Sequence, residues 1–123
     1  MDEIKNFKYR RSLTRLRLSN HSLRIETGRY VGEERQERVC QFCDKNVIEN
    51  EKHLLISCPL YDKFRIPLYD TIRKYHRNFH DFSDDEKLDV IMKPDTLIVG
   101  AVASYIYRSV EFRRMRLLNE QVS

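Results

Sequence analysis

Cys40, Cys43, His53 and Cys58 stand at the spacing Cys-x2-Cys-x9-His-x4-Cys. Thiolate and imidazole are the donors zinc prefers, and four of them complete its tetrahedron. Two cysteines separated by two residues form a tight knuckle whose sulfurs and neighbouring amides can face one metal. The second pair must then fold back from another element. The chain has three cysteines, all within nineteen residues and beside a histidine, so the odd count points to metal and away from a disulfide framework. The competing reading is three buried free thiols, but core packing gives no reason for Cys40 and Cys43 on a polar, turn-rich segment. One structural zinc ion is therefore expected. Four protein ligands leave no open position for a reacting water, which argues against an enzyme.

Other groups carry less chemistry. His76 and His80 are four apart and could share a helix face, but no Glu or Cys pair accompanies them. Asp84, Asp85 and Glu86 could suggest a metal-dependent nuclease, and a helix N-terminus accounts for them more simply. No glycine-rich phosphate loop or nucleophile elbow is found, and no small-molecule substrate is expected.

Charge is the second signal. Residues 1–30 carry eight Lys and Arg against three acids, a net +5 within a chain of total +4. A basic segment on a neutral body suits a polyanion, although a solvated helix face has the same composition. Arg10, Arg11, Arg15, Arg17, Arg24 and Arg29 are the candidate phosphate contacts, with Tyr30 (and Tyr9) placed to stack on bases. Phe42 and Lys45 sit on the knuckle. Phe42 reads equally well as a core plug or a stacking residue. Arg113, Arg114 and Arg116 form a second basic cluster, expected as a solvated helix end.

These groups need elements to hold them. At 123 residues, one domain is the default, with 41% hydrophobic and 34% charged residues. Residues 4–18 read as an amphipathic helix, with Leu13 and Leu16 opposite the arginines. A short helix over 21–27 closes at Gly28. Residues 32–37 read as a loop. Val47 and Ile48 return toward Val39 as a small hairpin, and Asn50 caps a helical turn or two over 51–57. Residues 60–79 form a long amphipathic stretch that Pro67 must kink or restart. Ser83 opens a helix to about Met92 with Leu88 and Ile91 inward. Asp95 caps a last helix over 96–118 whose apolar first half is the central core element. The expectation is a mainly α fold, a small helical domain with a zinc-bound β-hairpin. It divides into a basic N-terminal segment (1–37), the knuckle (38–59) and a helical core (60–123).

No apolar run is long enough to cross a membrane and no signal-peptide core precedes the basic segment, so a nuclear or cytoplasmic location is expected. Nucleic acid, RNA or DNA, is the expected partner. The alternative is a zinc-stabilised protein-interaction or dimerisation module, docking through the apolar last helix.

The residues around the cysteines also carry a resemblance. The run Leu13-Thr14-Arg15-Leu16-Arg17-Leu18-Ser19-Asn20-His21-Ser22-Leu23, then Ile25-Glu26-Thr27-Gly28-Arg29-Tyr30, then Arg38-Val39-Cys40-x2-Cys43, then Glu51-x-His53-Leu54-Leu55-x2-Cys58-Pro59, resembles the C-terminal tail of animal non-LTR retrotransposon polyproteins. Those tails follow the reverse transcriptase region and carry a Cys-Cys-His-Cys zinc knuckle. The resemblance implies that Cys40, Cys43, His53 and Cys58 hold zinc. It also implies a module that helps a parent enzyme hold template RNA or target DNA. This chain carries no polymerase or endonuclease region, so a fragment, a truncated element copy and a descended host gene all fit.

Overall fold

The computed structural model describes residues 10–16 and 23–122, without the side chains of 26, 29 and 120–122. The architecture is mostly helical, with no sheet among the described residues. α1 covers residues 10–16. It buries Leu13 and Leu16 and leaves Arg10, Arg11 and Arg15 exposed, as amphipathic spacing requires. The rest of the expected 4–18 helix, with Tyr9 and Arg17, lies outside the described residues.

α2 (Arg24–Tyr30) corrects the expected closure at Gly28, which lies inside the helix. A Cβ there would come within 2.6 Å of Arg38 Cγ and of Glu33 Oε1, so Gly28 is needed for close approach. The helix ends at Gly32 instead, whose φ of 79° puts it in the left-handed region. The Glu33 amide then donates back to the Gly28 carbonyl at 2.9 Å, the long bond of a Schellman closure. Arg38 locks the return by donating to the Glu33 and Ile25 carbonyls.

Residues 38–49 form the knuckle. A single antiparallel bridge joins Val39 to Ile48, with the Cys40 amide donating to Val47 O and the Glu49 amide to Arg38 O, both at 2.9 Å. The turn between them contains Asn46 at φ 56°, a conformation Asn tolerates better than most residues. A π turn, His53–Ser57, and a 3-10 turn, Pro59–Tyr61, lead into α3 (Asp62–Tyr75).

α3 runs through Pro67 as one helix, so no new helix starts there. Pro67 is exposed, so the missing amide bond falls on the solvent side. The amphipathic stretch ends at Tyr75, and Phe79 reaches the core from a separate 3-10 turn, Phe79–Asp81. His76 and His80 therefore share no helix; His76 faces Asp95 at 3.0 Å and His80 faces Asp81 at 3.5 Å.

α4 (Asp84–Met92) opens on a full capping box between Ser83 and Glu86. Asp95 Oδ1 accepts from the Leu97 and Ile98 amides at the start of the turn into α5 (Val99–Val122), the capping role expected of it. Ile98, Val102, Tyr105 and Ile106 are fully buried, so the first half of α5 is the spine of one core that also takes in Leu13, Leu23, Leu55 and Phe79. No helix among the described residues is long and apolar enough to cross a membrane.

Candidate metal centre

The knuckle and the π turn bring Cys40, Cys43, His53 and Cys58 together, with all four ligand atoms within 4.8 Å of one another. Cys40 Sγ lies 3.9 Å from Cys58 Sγ, and Cys43 Sγ lies 3.4 Å from His53 Nε2. All three cysteines are free thiols. Cys40, His53 and Cys58 are buried and Cys43 half-buried, so the cluster faces the core with one edge toward solvent. The arrangement is compatible with a structural metal site.

Local backbone explains the aim of each donor. The bridge fixes Cys40, and the Phe42 amide points back at Cys40 Sγ at 3.4 Å, as a two-residue knuckle allows. Asn50 caps the next turn by accepting from the His53 amide at 2.9 Å. The Cys58 amide bonds to His53 O at 2.8 Å, five residues back. That π register suits the His-x4-Cys spacing, because it adds one residue to the ordinary turn. The Cys58 peptide is extended and Pro59 sets the exit.

The charge state follows from this packing. Cys40 and Cys58 share a hydrogen bond, which together with burial pushes the Cys40 thiol up to about 12. The same bond, helped by the Leu60 amide, lowers the Cys58 thiol.

Behind the π turn stands a group that sequence reasoning missed. Arg65 is 6% exposed. Its guanidinium donates to Leu55 O at 3.1 Å, Leu54 O at 3.1 Å and Cys58 O at 2.8 Å, and it pairs with Asp62 at 2.6 Å. The Tyr105 hydroxyl donates to Leu54 O at 2.5 Å and the Tyr69 hydroxyl to Leu55 O at 3.3 Å. Burial pushes Tyr69 up to about 12 and raises Tyr105, so both remain donors at neutral pH. Three side chains from α3 and α5 therefore hold the carbonyls of the segment that carries His53 and Cys58.

A second buried group ties the knuckle to α5. Arg113 is 4% exposed and Glu49 2%. Arg113 Nε and Nη2 grip the Glu49 carboxylate at 2.8 and 2.6 Å, and the Arg24 amide donates to Glu49 Oε1 at 2.7 Å. Burial opposes the Arg113 charge, but the Glu49 bonds outweigh it and raise its pKa above the usual value. The expected solvated cluster is thus corrected. Arg113 is internal, Arg114 pairs with Glu111 at 3.1 Å, and Arg116 is exposed. A signal was available. Arg65 falls on the inward stripe with Tyr61, Leu68 and Ile72, and Arg113 on that with Ile106 and Ser109. A charge on an apolar stripe implies a buried partner.

The candidate nucleic-acid contacts separate into groups. Arg10, Arg11 and Arg15 are exposed on α1, Lys45 is exposed on the knuckle, and Tyr30 is 80% exposed. Arg24 is ion-paired with Glu33 and mostly covered. Phe42 packs against the core with the Arg113 guanidinium 5.6 Å from its ring centre, which favours the plug over the stacking role. Arg17 and the Arg29 side chain lie outside the described residues.

No known protein family, curated protein or solved structure matches this chain.

Proposed function

We propose that the chain is a zinc-stapled nucleic-acid-binding module, with no chemistry of its own, related to the tail of a retrotransposon reverse transcriptase. The observation that carries the metal half is the cluster of three cysteines and one histidine. Zinc–sulfur bonds of about 2.3 Å and a zinc–nitrogen bond of about 2.0–2.1 Å in a tetrahedron put sulfurs about 3.8 Å apart and sulfur about 3.6 Å from nitrogen. Two of the separations, 3.9 and 3.4 Å, fit such an ion, and all four donors lie within 4.8 Å of one another. Cys40, Cys43, His53 and Cys58 would hold it, and it would supply cross-linking of the knuckle to the π turn. All four positions are protein ligands, so the ion is structural in this reading.

Exposed Arg10, Arg11 and Arg15 on one helix support the nucleic-acid half, with Tyr30 and Lys45 as further surface contacts. The docking alternative relied on the apolar part of the last helix. Ile98, Val102, Tyr105 and Ile106 are spent on the chain's own core, and of α5 the large exposed apolar side chains are Met115 and Leu118.

The test is a salt-titrated binding assay of the zinc-loaded chain on single-stranded RNA, single-stranded DNA and duplex DNA, with a chelated control. Binding should weaken with added salt by a log–log slope of about 0.7 to 0.9 per phosphate contact, and vanish on chelation. A folded, zinc-containing sample that binds none of the three polymers would overturn the reading.

A further inference from the structure

We propose that the seam between α3 and α5 is a second phosphate-contact face for a nucleic-acid strand; the inference rests on the nucleic-acid reading above. The structure sorts the cations of these two helices. Arg65 and Arg113 are buried on internal partners, Arg73 pairs with Asp70 and Arg114 with Glu111. Lys63, Arg108 and Arg116 are exposed and have no carboxylate at ion-pair distance among the described residues. The neighbouring acids are already engaged, Asp62 by Arg65 and Glu111 by Arg114.

Lys63 sits on an aromatic pair instead of on an acid. Phe64 and Phe112 meet edge to face at 5.5 Å, and Lys63 Nζ lies 4.5 Å from the Phe112 ring centre. The ring holds the ammonium at the seam and leaves its charge facing solvent. Arg108 and Arg116 stand one turn on either side of Phe112. Next to Arg108 a notch of about 140 Å³ opens between the helices, floored by Phe64, Pro67 and Leu68, with Ser104 at its wall. A guanidinium and a hydroxyl beside an apolar floor can seat a phosphate with the attached sugar.

The spacing suits a nucleic-acid strand. Arg108 and Arg116 are eight residues apart, about 12 Å of helix rise. A strand of B-form DNA presents roughly three to four phosphates over that length. Lys74, about 16 Å along α3 from Lys63, lies beyond this stretch. Isolated surface cations are usually solvated, but here three without an acidic partner among the described residues share a short stripe and a seat.

The test compares two neutralised full-length, zinc-loaded variants, Lys63→Gln/Arg108→Gln/Arg116→Gln and Arg10→Gln/Arg11→Gln/Arg15→Gln. The probes are a labelled 20-nucleotide RNA and a 20-base-pair DNA, with unfolding midpoints measured alongside. The seam variant should keep its midpoint, lose roughly 50- to 150-fold in affinity at 0.15 M salt, and show a salt slope shallower by about 2 to 3. Wild-type affinity and slope in the seam variant, with loss in the α1 variant, would overturn the seam while leaving the functional reading standing. Failure of the wild-type protein to bind either probe would remove both. With labelled polyglutamate as a third probe, a seam variant that loses binding to it but keeps nucleic-acid binding would reassign the seam to an acidic protein and also overturn the proposal.

Discussion

Replacing Arg113 by Met should be among the most damaging single changes in this chain. The side chain is enclosed and donates two charge-assisted bonds to Glu49, at 2.8 and 2.6 Å. Removing it leaves a buried carboxylate with one remaining donor, the Arg24 amide. Breaking a buried pair from one side costs about 3–5 kcal/mol. Loss of the cation over the Phe42 ring adds about 0.5–1 kcal/mol. If Arg113 were the solvated helix-end residue that its basic neighbours suggest, the cost would stay within about 0.5 kcal/mol. The two pictures differ several-fold. The double variant Glu49→Gln/Arg113→Met should recover part of the loss, because Gln still accepts from the Arg24 amide and carries no charge to strand. A coupling of about 2 kcal/mol is expected across the cycle. The assay is denaturant unfolding at fixed free zinc, since a bound metal otherwise shifts apparent stability. An Arg113→Met variant within 1 kcal/mol of wild type, or a double variant as unstable as the sum of the singles, would refute the reasoning.

Arg65→Met should destabilise by about 3 kcal/mol, near 1 kcal/mol for each lost carbonyl bond, since each carbonyl keeps a second donor. It should also weaken zinc binding by about 10- to 100-fold in chelator competition, and Arg65→Lys should not restore it, as one ammonium cannot span three carbonyls. The glycines should respond oppositely to alanine. Gly28→Ala should cost about 1–3 kcal/mol through its clash with Arg38 and Glu33, whereas Gly100→Ala, whose Cβ meets nothing within 4 Å, should gain about 0.5–1 kcal/mol in thermal unfolding. Desolvation raises the Asp95 carboxyl, but the His76 ring and the Leu97 and Ile98 amides together outweigh it and hold the group below the ordinary carboxylate value. A lowered folded value means its contribution is present above the ordinary pKa and lost as pH falls through the lowered one. Asp95→Asn, which still caps, should therefore flatten the acid limb of a stability-against-pH curve relative to wild type; identical acid limbs would count against a contribution from the ionised carboxylate.

The four candidate ligands could be read from spacing because a knuckle is local and its chemistry fixes residue type. The helix start at Ser83, the Asp95 cap and the apolar half of α5 were legible for the same reason. What escaped depends on distant partners. The stripe with Ile106 and Ser109 hints that Arg113 turns inward, but its partner Glu49, sixty-four residues away, cannot be read from the sequence. Arg65 and Gly28 likewise make sense only against chain that returns from elsewhere, the π-turn carbonyls and the Arg38 side chain. Pro67 misled because its penalty depends on which face of α3 meets solvent. The π register of His53–Ser57 had a trace in the five-residue step from His53 to Cys58, but that step also fits a turn followed by an extended exit.

The Glu49–Arg113 pair also imposes an order on synthesis. Sixty-four residues separate the two partners, so at ribosomal speeds of about 5–20 residues per second the knuckle waits roughly 3–13 s for its last clamp. Cys40, Cys43, His53 and Cys58 are complete well before Tyr105 and Arg113 exist. If the site takes zinc as proposed, a nascent chain that captures the ion in that interval presents a finished scaffold for α5 to dock on. One that does not would leave three uncovered thiols, and under the proposed reading the timing of metal delivery would decide between folding and oxidation.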